Sequence, residues 1–359
     1  MSTRAKTVAD MEAFCDVDAA SRLECAEDML LQRRLRDALE IFHEAEAMGA
    51  PADRCSSGRW MAAMLDGNFE AAWRESDAIR ARGAFDPHRF WDGEELRNAR
   101  VIVRCLHGFG DAVQMLRYAP RLRQIAAHVT FEVPPRMLEL APLFEGVGEV
   151  ATWGTGAPEM PPAWDVQVEV TELPYLFRTT LDELPIASNY LKLPERMVRQ
   201  AAHAMGPATQ ARIGVVWASG EWNPERSVPL SLLEPLVRET SAEFWSLQGD
   251  VAAEEARSWI EAGMLRDATA ICGDGLVALA ATIANLDMVI TVDTLAAHLA
   301  GALGNPAWVM LQHAADWRWM TAREDCPWYP SLRLLRQPMP GDWNGTINRV
   351  RGALQDFVR

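Results

Sequence analysis

The chain has 359 residues, 49% of them hydrophobic, and 35 Lys and Arg against 50 Asp and Glu give a formal charge of −15. The length implies more than one ordinary core, and the apolar fraction excludes a disordered chain. The acidic balance excludes a general nucleic-acid binder, whose affinity rests on basic contacts to phosphates. No apolar run approaches the roughly 20 residues needed to span a bilayer, and residues 1–10 lack the apolar core of a signal peptide, so a soluble, cytoplasmic protein with no transmembrane segment is expected. Cys15, Cys25, Cys55, Cys105, Cys272 and Cys326 show no C-x-x-C spacing. That pattern predicts free, mostly buried thiols rather than a zinc site or a disulfide framework. Lys6 and Lys192 are the only lysines, so a cation gripping phosphate is expected to be arginine, which binds it as a planar fork.

Residues 1–98 read as a helical region. Glu24 to Met48 carries Met29, Leu30, Leu35, Leu39 and Phe42 at helical spacing and stops at Gly49-Ala50-Pro51. Helices over Ser57–Leu65 and Phe69–Arg82 come next, separated by Asp66-Gly67-Asn68 and ended by Gly83. The phrase Gly67-Asn68-Phe69-Glu70-Ala71-Ala72-Trp73 resembles tetratricopeptide-type helical hairpins, whose period is about 34 residues. Two degenerate units are fewer than the roughly three a solenoid needs, so the segment is expected to pack on the next domain or to be a plain helical extension.

At Val101 the texture changes. Val101–Cys105 predicts a strand, Leu106–Gly110 a glycine-rich turn, and Asp111–Ala127 an amphipathic helix. Strands are expected at Val129–Val133, Glu149–Trp153 and Asp165–Val170, with a helix from Pro134-Pro135 through Phe144 and a last strand at Tyr190–Pro194. Repeated strand-helix units predict an α/β, doubly wound parallel sheet in residues 99–194. A linker helix over Glu195–Met205 ends at Gly206-Pro207 and opens a second such domain, 195–359. There the expected strands are Arg212–Trp217, Glu243–Leu247, Ala268–Cys272, the run ending at Val292, Ala307–Leu311 and Arg333–Arg336. The expected helices are Ser231–Glu239, Val251–Ala262, Leu276–Asn285 and Trp343–Phe357, the last of which could pack back on the preceding domain.

Ile290–Gly304 organises this second half. A buried strand turns at Asp293-Thr294 into a helix closed by Gly301 and Gly304. The first N–H groups of such a helix lack intrahelical partners and carry the positive end of its dipole, so a phosphate binds there without a dedicated cation.

The ordered set Gly108-Phe109-Gly110-Asp111-Ala112-Val113-Gln114, Arg117-Tyr118-Ala119-Pro120, Gly214–Ala218, Arg226–Leu230, Val292-Asp293-Thr294 with His298–Gly301, Asp316–Trp319 and Pro327–Ser331 resembles bacterial glycosyltransferases of family 9, the heptosyltransferase-like type, in the branch with tetratricopeptide repeats in front. The resemblance spans roughly residues 100–350. It implies a GT-B fold of two Rossmann-like domains facing a cleft, preceded by a small all-α region. It also implies an inverting sugar transfer from a nucleotide-sugar donor, bound mainly by the C-terminal domain, with no metal and no other cofactor. A single displacement at the anomeric carbon needs a base for the acceptor hydroxyl and a partner for the departing diphosphate. Asp111 matches the family's base, although a helix-start aspartate could equally be a cap; His107 in the same turn competes for the role, its ordinary pKa lying near 6.5. Arg226 and Ser227 match the phosphate-contacting loop. Thr294 and the N–H groups of Leu295 and Ala296 would hold other phosphate oxygens, with Asp293 on donor hydroxyls or fixing the turn. His298, one helical turn on, reaches the diphosphate or the sugar, or is a structural histidine. Trp217 and Trp222 offer rings for stacking on a base or sugar, or pack in the core. Trp317, Arg318, Trp319, Trp328 and Tyr329 are expected to form core plus a cleft-lining loop.

One residue and one loop depart from the family pattern. Leu295 is bulky where a small residue is usual, and Glu221 and Glu225 make the 219–225 loop acidic. Both favour an alternative reading, a catalytically weak or inactive scaffold that binds a protein partner through its helical front. A nucleotide-sugar epimerase is a third possibility. The acceptor is expected to be a protein or a glycan.

Overall fold

In the computed structural model, residues 18–83, 91–153, 163–185, 189–220, 223–249 and 251–357 are described. The first helix, α1 (Ala19–Leu31), begins at Asp18, whose carboxylate accepts from Ser21 N at 2.8 Å and so caps an otherwise unpartnered donor. Three more come after it, α2 (Leu35–Ala47), α3 (Ala52–Asp66) and α4 (Phe69–Arg82), each packed on its neighbour in sequence. The single helix expected over Glu24–Met48 is therefore two. The break falls at Arg33, a non-glycine residue at φ +62°, held there because its guanidinium donates to Leu30 O and Ala315 O. The break after α3 is as expected: Gly67 takes φ +79° and Asn68 accepts from Ala71 N.

By proximity the chain forms two compact units. One contains α1–α4 together with two returns of the chain, Phe177–Glu183 and Ala314–Ala322, a grouping that the sequence-order division into 1–98, 99–194 and 195–359 does not contain. Within it Trp73 Nε1 donates to Thr179 O at 2.7 Å, Arg178 pairs with Asp77 through both nitrogens, and Trp60 meets Trp317 edge-on at 5.8 Å. Of the aromatic cluster expected to form core plus a cleft-lining loop, Trp317 and Trp319 lie with the helices, and Trp328 and Tyr329 with the sheets. Cys55, Cys105, Cys272 and Cys326 carry free thiols, as expected. Cys25 is disulfide-bonded and corrects that expectation, since a spacing without C-x-x-C does not exclude a pairing.

The second unit holds two all-parallel sheets. The first contains β1 (Arg100–Arg104), β2 (His128–Val133), β3 (Glu149–Thr152) and β4 (Val166–Glu169) in the order β3-β2-β1-β4. Arg100 closes its lower edge through N, Nε and Nη2, all donating to Asp165. Those bonds hold the Asp165 carboxyl below its ordinary value of 3.8, at about 2. Because the folded value is the lower one, this contribution is complete above 3.8 and is lost as pH falls toward about 2. Asp165→Asn is expected to flatten the acid limb of stability across that window, measured by urea unfolding at stepped pH.

The helix expected over Asp111–Ala127 is segmented: α5 (Phe109–Met115), a 3₁₀ turn at Leu116–Tyr118, then α6 (Ala119–Ile125). Pro120, without an N–H, cannot continue the i→i−4 ladder. The helix expected after Pro134 is likewise reduced to 3₁₀ turns at Pro135–Met137 and Ala141–Leu143, around Pro135 and Pro142. Tyr190–Pro194 forms no strand. It crosses between the sheets, making a single bridge from Leu191 to Phe144 and donating Leu191 N to Ala302 O at 3.3 Å.

After α7 (Glu195–Met205) the second sheet runs β10-β9-β8-β5-β6-β7, from β5 (Arg212–Val216), β6 (Glu243–Ser246), β7 (Arg266–Asp267), β8 (Met288–Val292), β9 (Ala307–Leu311) and β10 (Leu332–Arg336). Residues 269–272, expected as a strand, make a helical turn, because the Asp267 carboxylate accepts from both Thr269 N and Thr269 Oγ1 and curls the chain. The expected helices at 231–239 and 251–262 both start as 3₁₀ turns before becoming α. Helices α8 (Leu276–Ile283) and α9 (Leu295–Leu303) flank β8, and α10 (Trp343–Phe357) closes the chain. The α10 face of Trp343, Ile347, Val350 and Leu354 is buried, and the helix packs on β10 and on residues 230–239. Among the described residues no helix is long and apolar enough to cross a membrane.

Candidate functional site

Strand order locates the site before any residue does. In an open parallel sheet, ligands bind beyond the carboxyl ends of the strands, where the winding direction reverses. The first sheet reverses between β1 and β4, the second between β5 and β8. At the first reversal the turn after β1 brings His107 within 3.8 Å of Glu169, the last residue of β4. At the second, the loop after β5 brings Arg226 onto the end of β8: its Nη1 donates to Asp293 O at 3.0 Å and lies 3.6 Å from Asp293 Oδ2.

The two reversal points are brought against each other. Gly110 lies so close to His298 that a Cβ there would sit 2.6 Å from the ring's Cδ2 and 3.1 Å from Nε2. Only glycine lets the turn after β1 approach the helix after β8 this closely. Asp111, half-buried beside that contact, accepts from Gly108 N at 3.0 Å. The aspartate therefore does cap its helix, and it does so beside that contact.

Thr294 is the N-cap residue of α9, at φ −145°, yet its side chain makes no capping bond. Its Oγ1 lies 3.1 Å from Thr291 Oγ1, which in turn donates to Val292 O. The first N–H groups of α9, those of Leu295 and Ala296, are left with no side-chain cap, the arrangement that suits an anion at a helix start. Thr294 and Leu295 are half-buried, whereas Asp293 and Ala296 are buried.

Two expected binding residues have other work. Ser227 Oγ accepts from Ser219 N at 3.0 Å and lies 3.3 Å from Ser219 Oγ, tying the 219–227 loop shut. Trp217 is 1% exposed, with Nε1 donating to Glu255, so its ring packs in the core and is not a stacking platform. Trp222 and Glu221 lie outside the described residues. Gln248, which belongs to none of the sequence motifs, also shapes the site: its Oε1 accepts from Trp217 N and Ala218 N while its Nε2 donates to Ala218 O and Gly249 O. This amide clamps the point where the chain leaves β5 for the Arg226 loop. Its only signal in the sequence is a polar residue just past a predicted strand. Directly after that loop, Pro229, Leu230, Ser231, Glu234, Glu255 and Trp259 line an open cavity of about 460 Å³. Among the described residues no group of three or more His, Cys, Asp or Glu side chains is placed to hold a metal.

Proteins of known structure share this architecture. A glycosyl transferase of family 9 from Veillonella parvula superposes with a TM-score of 0.53 at 14% identity, over 74% of this chain and 98% of that one. The ADP-heptose LPS heptosyltransferase II of Escherichia coli superposes with a TM-score of 0.50 at 13% identity, over 72% and 99%. The fold is GT-B. Protein FlbA of Caulobacter vibrioides is 29% identical over 330 residues, 81% of this chain and 53% of its own length, so the chain spans about half of that relative. No protein-family model matches the chain. The α/β architecture of two parallel sheets with helices in front, implied by the sequence motifs, is the one observed.

Proposed function

We propose that the protein is an inverting, metal-independent glycosyltransferase that moves a sugar from a nucleoside-diphosphate sugar to a hydroxyl of a protein or glycan. The observation that supports this most is the Gly110–His298 contact, which packs the turn carrying Asp111 against α9. In the step, Asp111 takes the proton of the acceptor hydroxyl, the oxygen attacks the anomeric carbon from the first-sheet side, and the bond to the diphosphate breaks with its electron pair going to phosphate. The departing charge falls on the N–H groups of Leu295 and Ala296, the Thr294 hydroxyl and the Arg226 guanidinium, which Asp293 holds in place. His107 and Glu169, on the first-sheet side, would bind the acceptor. The cavity beyond the Arg226 loop is of a size for the nucleoside. Helices α1–α4, with their tetratricopeptide-like phrase, would recruit a protein acceptor.

A thermal-shift screen of nucleoside diphosphates and their sugars tests this reading. A matching nucleotide at about 100 times its Kd should raise the melting temperature by roughly 5 °C. Arg226→Ala should remove most of that rise. No rise with any nucleotide would instead favour a scaffold with a vestigial sugar site.

A further inference from the structure

Past the ends of β5 and β6 the two strands separate, and the chain leaving β5 loses the neighbour that paired its backbone. The last rung between them runs from Leu247 N to Val215 O at 3.0 Å. Beyond it Trp217 is 1% exposed, so its N–H must find a partner inside the protein. That partner is the Gln248 side chain, itself 5% exposed. Its Oε1 accepts from Trp217 N at 3.1 Å and Ala218 N at 2.9 Å, and its Nε2 donates to Ala218 O and Gly249 O, each at 3.2 Å. These neighbours fix the orientation of the amide. Backbone N–H groups only donate and carbonyls only accept, so a flipped amide would satisfy none of the four.

What this amide holds is the base of the Arg226 turn. Trp217 O accepts from Val228 N at 2.8 Å. Ser219 N donates to Ser227 Oγ at 3.0 Å, and Ser219 Oγ donates to Asn223 O at 2.8 Å. The two ends of the turn are thereby stapled together, with Arg226 just inside the staple and its Nη1 on Asp293 O. Pro229, Leu230 and Ser231, which follow Val228 directly, line the cavity, as does Glu255. Glu255 accepts from Nε1 of the same Trp217 at 3.3 Å. One tryptophan thus joins Gln248, the Arg226 turn and the cavity lining.

We propose that Gln248 is a positioning residue that presets the Arg226 turn against the cavity, so that a diphosphate and its nucleoside meet parts already at their working separation. The effect on donor affinity rests on the glycosyltransferase reading above; the order of the turn does not. Gln248→Met keeps nearly the same length and shape but leaves four backbone groups without their partner. The turn is then released, and its ordering has to be supplied by the ligand, at the expense of affinity.

The test uses the full chain. Amide hydrogen exchange at Ser219, Ser227 and Val228 should be about tenfold faster in Gln248→Met, with residues 213–216 of β5 within about twofold of the wild type. Calorimetry with ADP, GDP, UDP, CDP and inorganic pyrophosphate should show at least about tenfold weaker binding of whichever probes the wild type takes. Saturating probe should restore slow exchange at the three amides, a recovery that a merely structural residue would not show. Should Gln248→Met fail to fold, Gln248→Glu, which keeps the accepted bonds but not both donated ones, should speed exchange at the same three amides. Unchanged exchange there overturns the proposal, as does exchange accelerated equally along β5. Unchanged affinity, or a bound probe that leaves exchange fast, overturns the role in donor binding. If the wild type binds none of the five probes, the glycosyltransferase reading fails, while the exchange rates still decide whether Gln248 holds the turn.

Discussion

Asp111→Asn is expected to slow sugar transfer by about 10²–10⁴-fold, the range typical for loss of a positioned general base, with donor affinity left within about twofold of the wild type. The choice of asparagine matters because Asp111 caps its helix as well as being the proposed base. Its carboxylate accepts from Gly108 N, and an amide oxygen can do the same, so the helix start survives while the proton acceptor is lost. Asp111→Ala removes both and should cost about 1 kcal/mol of stability in addition. Comparing the two variants by single-turnover transfer and by urea unfolding separates cap from base. Full activity in Asp111→Asn would assign proton uptake elsewhere, with His107, across from Glu169, next in line.

Arg117→Met should be the most damaging single change to the fold among the crevice residues. It strands Trp328 O, Gln114 O and the Tyr190 hydroxyl in a dry interior and removes three cation–ring contacts. A loss on the order of 3 kcal/mol is expected, since each buried acceptor left without its donor costs about 1 kcal/mol or more. Chemical denaturation of the full chain measures it. A loss below about 1 kcal/mol would mean that water or a shifted side chain satisfies those acceptors.

Much of this was legible in the residues themselves. α7 begins and ends as the Pro194 and Gly206-Pro207 signals require, and the β-branched runs at 101–104, 212–216 and 288–292 are strands because a parallel sheet buried on both faces needs continuous apolar residues. The turn chemistry at Gly67-Asn68 and the helix start at Thr294 were also readable. What was hidden depends on partners distant in sequence. Arg33 breaks a helix with neither glycine nor proline, through a bond to Ala315. Tyr190 has strand composition, yet its hydroxyl accepts from Arg117, donates to Val113 O and lies 3.4 Å from the Tyr329 hydroxyl of the second lobe. Arg117 was visible as part of a motif, but nothing local says that a charged side chain inside an apolar helix pattern meets Trp328 and Tyr329, more than 200 residues away. Asp267 overrode a plausible strand with two short side-chain bonds. In the candidate site, Asp111, Arg226 and Thr294 all lie on the turns and helix starts at the two reversals of strand order. Ser227 and Trp217 show that a motif fixes neighbourhood and not task.

Where a nucleotide's phosphates come to rest decides the central claim most directly. A crystal structure with the nucleoside diphosphate that most raises the melting temperature should show phosphate oxygens within hydrogen-bonding distance of the Leu295 and Ala296 N–H groups and of Arg226, with the Asp111 carboxylate facing the space where the sugar would sit. Phosphates bound away from the start of α9, or an Asp111 carboxylate turned out of that space, would contradict it.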